Sequence, residues 1–230
     1  MGASFLKVND QQSGTLLVRA TGGIGAALES KLDAPLHTVN GDDIDLTNPT
    51  EVDDALQKFS TAFDTVILSW LHPASFIAKP LHELTEDEWD VASEYSMRAA
   101  FIVLQRVYAR LNDGGRVIIV LPTTAATGVA ELVPLCSAVE AIRVMAKAVA
   151  RRWGARSITV NTIEVDLARF IVGDGDRANV PSVPVLGVPA LAESSVVHDV
   201  VGLISLLRSE SSSGLTGALL VADRGTVMQP

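Results

Sequence analysis

The sequence predicts an α/β protein: a parallel sheet with helices on both faces, in a single domain. Three observations carry this. Short runs rich in Val, Ile and Leu alternate with longer amphipathic stretches along almost the whole chain, the signature of repeated βαβ units. One such run, FDTVILSW at 63–70, is apolar without alternation, as a strand buried on both faces must be. No linker, repeat or low-complexity tract splits the 230 residues, and their 48% hydrophobic and 20% charged content is that of a well-buried chain.

The elements follow in order. Residues 1–14 read as a lead-in. TLLVRATGGIGAALESKL then predicts a strand at 15–18, a turn through Gly22, Gly23 and Gly25, and a helix opening at Ile24. In such a turn the backbone can approach a pyrophosphate, and the helix aims free N–H groups at it. A strand at 36–39 leads through Asn40-Gly41 to a helix capped by Thr47 or Asn48, with Pro49 in its first turn. After the strand at 63–70 and a loop through Pro73 and Pro80, Thr85 and Glu88 form a capping box. They precede a long helix that ends near the Asn112-Asp113-Gly114-Gly115 turn.

The stretch 114–152 supplies a strand at 116–121, a small-residue loop and a long helix beginning near Cys136. Ligands of parallel α/β proteins collect at the carboxyl ends of strands, so an active site is expected here. A strand at 157–165 follows, then a Gly- and Pro-rich segment at 173–189 that reads as a mobile loop. A helix at 194–207 and the strand in LTGALLVADRG complete the chain.

Composition excludes several function classes. The net charge of −9, without a local cluster of Lys or Arg, argues against a nucleic-acid surface. Cys136 is the sole cysteine, and His37, His72, His82 and His198 lack ligand spacing, so neither a disulfide nor a metal site is expected. No apolar run approaches the roughly 20 residues that span a bilayer, and no leader pattern opens the chain. A soluble, reducing, cytoplasmic setting without membrane partners is therefore expected.

The motifs have a familiar order. GGIG at 22–25, Asp45-Leu46-Thr47, the helix LTEDEWDVASEYSMRAAFIVLQ, GGRVIIV, VNTIEVD and LTGALLVADRG together resemble the short-chain dehydrogenase/reductase family from about residue 15 to 228. The resemblance implies a doubly wound Rossmann fold with a seven-stranded, mostly parallel sheet. It also implies hydride transfer to or from NAD(P), with a tyrosine as general acid or base. A lysine four residues later supports that tyrosine, a serine orients the carbonyl and an asparagine supports a water relay.

Placed on this sequence, the tyrosine falls on Cys136, the lysine on Glu140, the serine on Thr123 and the asparagine on Ser96, and none of the four matches. The two tyrosines present, Tyr95 and Tyr108, both lie on the preceding helix. A Glu140 carboxylate repels a thiolate where the family's lysine supports a tyrosinate. Only Thr123 keeps a hydroxyl able to orient a carbonyl. Cys136 reads either as a thiol nucleophile or as a small half-buried residue at a helix start, and without a base nearby in sequence the second is preferred.

The cofactor loop departs as well. Arg19 stands where the family's first loop glycine is expected; it either fills the groove or reaches an anionic ligand, and filling is preferred because the family relies on bare backbone there. Gly23, Ile24, Gly25 and Asp45 remain as candidate cofactor contacts. The stretch between Asn40 and Asp45 is short, with no clear acid to read an NAD ribose and no base for a 2′-phosphate. Trp70 adds bulk near the nicotinamide side, and Val165-Asp166 places an acid where Pro-Gly is usual. NAD(P) binding is expected to be weak or absent, with no preference between NAD and NADP.

The helices at 96–111 and 136–152 are apolar around too much of their circumference to cover a single sheet face. The family resemblance gives them a second partner, the four-helix contact between subunits. A homodimer or homotetramer is expected, or a heteromer with an active paralogue, with residues 221–230 in a second contact. The leading expectation is thus a degenerate family member acting as a structural or regulatory subunit. An oxidoreductase with a divergent site and a nucleotide sensor without turnover are the alternatives.

Overall fold

The computed structural model describes residues 14–124, 128–175, 188–192 and 195–228. Six strands, β1 (Gly14–Arg19), β2 (Leu36–Asn40), β3 (Phe63–Ser69), β4 (Leu111–Pro122), β5 (Thr159–Val165) and β6 (Leu219–Val221), form one sheet in the order β2-β1-β3-β4-β5-β6. Every pairing is parallel. Among the described residues the sheet has six strands where seven were expected. Between β1 and β3 the chain spends residues 41–48 (GDDIDLTN) on a polar turn, so only one strand can form there.

The central strands are buried almost throughout, as their unbroken apolar runs require. Leu16, Leu17, Val66, Ile67, Val117 and Ile119 are sealed from solvent, each contributing roughly 1.5–3 kcal/mol. β4 starts earlier than the sequence indicates. Leu111 pairs with Phe63 before the register jumps to Arg116 opposite Thr65, leaving the 112–115 turn as a bulge.

The helices are α1 (Gly23–Glu29), α2 (Pro49–Gln57), α3 (Glu86–Trp89), α4 (Tyr95–Val107), α5 (Val133–Trp153), α6 (Leu167–Val172) and α7 (Val196–Arg208). Asn48 caps α2 by accepting from the Thr50 N–H at 3.0 Å, and the Thr85–Glu88 capping box forms as expected. The long helix read after Thr85 is interrupted by a π-turn at Asp90–Glu94, which separates α3 from α4. α5 begins at Val133, ahead of Cys136, because Pro134 suits a first turn.

Packing places α2, α4 and α5 on one face and α1 and α7 on the other, while α6 lies against α1. The lead-in, apart from Gly14, and most of the 173–189 segment fall outside the described residues. No helix among the described residues is long and apolar enough to cross a membrane.

Candidate functional site

The strand order reverses between β1 and β3, since β2 flanks β1 on one side and β3 on the other. A ligand crevice is expected at the carboxyl ends of these two strands. The glycine turn lies there, with Gly22 extended at the N-cap of α1 and Gly23 at φ +69°. Gly23 must be glycine for a second reason: an added Cβ would lie 2.5 Å from the Phe170 carbonyl oxygen and 2.8 Å from that of Ile171. The carbonyl end of α6 is therefore seated on the turn. Those oxygens, at the C-terminal end of a short helix, carry partial negative charge, the same sign as a pyrophosphate.

Arg19 is held by groups of its own fold. Its Nη2 pairs with Glu29 at 2.5 Å, its Nη1 donates to the Ala20 carbonyl at 2.8 Å, and its Cβ is 2.8 Å from where a Gly25 Cβ would be. Its anionic partner is internal, at the end of α1. Asp42, which the sequence reading passed over, stands beside it. The Thr21 N–H donates to Asp42 Oδ2 at 2.7 Å and the Trp70 indole to Oδ1 at 2.9 Å. Partial desolvation pushes the Asp42 carboxyl up, but those two bonds and the nearby Arg19 outweigh it and hold the group below its ordinary range.

Asp45, the expected adenine-side acid, is occupied otherwise. Its Oδ1 accepts from the Thr47 N–H and hydroxyl at 2.8 and 2.6 Å and so organises the turn before α2. Between Asn40 and Asp45, Asp42 is the acid that accepts from the turn backbone, at Thr21, and the signal for it is its place two residues beyond the end of β2. Trp70 is buried as an internal donor rather than standing free in the groove. Between β1, β3 and α6 there remains a cavity of about 200 Å³, lined by Gly23, Ile24, Gly25, Ser69, Phe76 and Phe170 among others.

The second corner lies at the end of β4. Thr123 is buried, and its hydroxyl donates to the Val165 carbonyl at 3.0 Å, so its proton is committed to β5. Cys136 Sγ sits 3.6 Å from the Thr124 carbonyl oxygen. Glu140 turns along the helix to Arg143. Ser96 is buried in α4, accepting from the His72 N–H at 2.8 Å with Ser75 Oγ 3.1 Å away, and so pins the segment after β3. The structure thus brings Cys136 to the Thr123-Thr124 corner, while Glu140 and Ser96 serve other partners. Of the two tyrosines, Tyr95 packs against His72, and Tyr108 packs against Trp153 beneath Arg156.

Glu164, an acid inside the apolar strand β5, is also new to the site. It is 1% exposed, its carboxylate lies 3.2 Å from Arg143 Nε, and neither oxygen has a hydrogen-bond partner among the described residues. Burial pushes its pKa up to about 7 against the pull of Arg143, with Glu140 and Asp223 adding to the rise. His72 shifts the other way, lowered by burial despite Asp42 and Asp45. Among the described residues no three His, Cys, Asp or Glu are grouped to hold a metal.

A family model described as Enoyl-(Acyl carrier protein) reductase matches residues 26–227. The chain belongs to the short-chain dehydrogenase/reductase family. That matched span begins just past the glycine turn. Family relatives include a hydroxynaphthalene reductase-like protein of Metarhizium brunneum, 28% identical over 120 residues, which are 52% of this chain and 45% of that protein. A short chain dehydrogenase of Emericella nidulans is 24% identical over 157 residues, 63% of this chain and 59% of its own. The chain spans about half the length of the curated relatives it matches. A blue fluorescent protein from a metagenomic library, solved in complex with NADPH, shares the family fold at 22% identity and a TM-score of 0.73, covering 94% of this chain and 98% of that one.

Proposed function

We propose that this chain is a non-catalytic member of the short-chain dehydrogenase/reductase family that serves as a structural or regulatory subunit of an oligomer, binding NAD(P) weakly or not at all. The observation that carries the reading is the seating of the Phe170 and Ile171 carbonyls on Gly23, where the family resemblance puts the cofactor. Arg19 held by Glu29 and Asp42 held by Thr21 and Trp70 support it, because the charged groups of the groove already satisfy one another. Internal partners of Thr123 and Ser96 support it further, as does the turn of Glu140 toward Arg143.

A subunit role is favoured by exposed apolar side chains on the two interface helices. Phe101 on α4 is 48% exposed and Val144 on α5 is 62% exposed. Such residues at helix positions that neighbours leave uncovered fit a second copy of the chain, or an active paralogue, docked across α4 and α5. Val221, on the edge strand β6, and Met228 extend the same logic to a second contact.

The second reading, an NAD(P)-dependent oxidoreductase with a divergent site, is favoured by family membership and by the retained glycine turn. A nucleotide sensor using Arg19 has less support, since Glu29 already meets that guanidinium. Incubation with NADPH and a panel of carbonyl substrates, followed through the nicotinamide absorbance, separates these readings. The subunit reading expects no turnover with any of them, and turnover of a single carbonyl overturns it. Purification from the native host tests the heteromeric form, which fails if no second dehydrogenase-like chain accompanies the protein.

A further inference from the structure

The seating of α6 on the glycine turn has no polar bond of its own. Two carbonyl oxygens face Gly23, yet among the described residues no hydrogen bond joins the Phe170 or Ile171 carbonyl to an N–H of the turn. Gly173, at φ +60°, extends the contact: an added Cβ there would lie 3.2 Å from the Gly23 carbonyl oxygen and 3.3 Å from the Ala27 Cβ. Of the six residues of α6 only Leu167 and Phe170 are buried, so the helix brings a small apolar anchor.

A polar hold lies just beyond its end. The Asp174 carboxylate reaches the start of α7, where Oδ1 accepts from the Val196 N–H at 2.8 Å and Oδ2 from the Ser195 hydroxyl. Ser195 in turn accepts from the His198 N–H at 3.0 Å and caps α7. A carboxylate at this place satisfies an otherwise unpaired helix N–H and meets the positive end of the dipole. α7 is a firm post for it, since Val196, Val197, Val200, Ile204 and Leu207 are all buried. The Gly175 N–H returns to the Val172 carbonyl at 2.9 Å, which makes Asp174 and the carbonyl end of α6 parts of one turn.

We propose that α6 is an autoinhibitory strap, held across the glycine turn by the Asp174 clamp on Ser195 and Val196, and that it keeps the nucleotide groove shut. This rests on the reading that the chain binds NAD(P) weakly or not at all, and it assigns that weakness to the closed position of α6. While the clamp holds, the binding-competent state is a minor one, and the apparent affinity falls in proportion to its population. Breaking the clamp raises that population without changing a residue that lines the groove.

Asp174→Ala in the full chain tests the strap. Asp174 is exposed, so the change leaves the core intact. Hydrogen exchange should rise across residues 167–173 and at the glycine turn, while α4 keeps its protection. Calorimetric titration with NADPH should show affinity at least about 10-fold above that of the unmodified protein. Asp174→Asn removes the charge but keeps an acceptor for Val196 and a partner for Ser195, and its affinity should stay within about 3-fold of the unmodified protein.

Unchanged exchange across α6 in Asp174→Ala overturns the clamp. Faster exchange there without a gain in NADPH affinity overturns the strap as the cause of exclusion and leaves the proposed function standing. An equal gain in Asp174→Asn also overturns it, because loss of one negative charge then accounts for the effect. Micromolar binding of NADPH by the unmodified protein overturns the reading on which the strap rests.

Discussion

Glu164 shows how one side chain reports on the whole site. Its carboxyl is raised from an ordinary 4.5 to about 7 by burial, so between those values the native state holds a proton that the unfolded chain has released. The stability this contributes is present below the ordinary pKa and is lost as pH rises through about 7. His72, lowered by burial, contributes in the opposite sense as pH falls through 6.5, so the two must be separated by comparison with a variant. Glu164→Gln should match the unmodified protein near pH 5 and exceed it above pH 8 by up to about 3 kcal/mol, read by urea unfolding at each pH. An identical pH profile for the two proteins would remove Glu164 as the titrating group. At this scale the sequence was only partly legible. Arg19 could be singled out because a long cation displaced a glycine, whereas Asp42 and Glu164 draw their character from partners distant in sequence: Trp70 for the first, Arg143 for the second.

Among the elements, the contact between α6 and the glycine turn carries the proposed exclusion of a cofactor. Gly23→Ala introduces a Cβ against two carbonyl oxygens and a strained φ at once. It should cost about 2 kcal/mol, seen in thermal unfolding, and raise amide hydrogen exchange across α6 more than across α4. Uniform exchange changes would indicate that α6 is not held at this point. On the opposite face, Phe101→Glu with Val144→Glu should weaken self-association by more than about 10-fold in sedimentation while leaving the circular dichroism unchanged. A mass equal to the monomer in the unmodified protein would remove the interface these side chains are proposed to form. The apolar excess of α4 and α5 was visible in their periodicity. The docking of α6 was not, because six residues carry too little pattern to reveal which neighbour they meet.

Across the whole molecule, alternating apolar and amphipathic stretches were enough to read the parallel sheet and its helical layers, since each rests on local pattern repeated many times, while the family was read as a resemblance carried by the order of motifs such as GGIG at 22–25. The strand count was less legible. Leu46 reads as apolar in isolation, yet Asp45 and Asn48 turn its neighbourhood into a cap, and the sheet stops at six strands. Three contacts close the groove region on itself: Arg19 on Glu29, Asp42 on Trp70, and α6 on Gly23. Calorimetric titration of the full chain with NADPH and with NADH tests this closure most directly. The account predicts no saturable heat with either nucleotide up to about 1 mM. A dissociation constant in the micromolar range for either, abolished by a bulky substitution at Gly25, would contradict it.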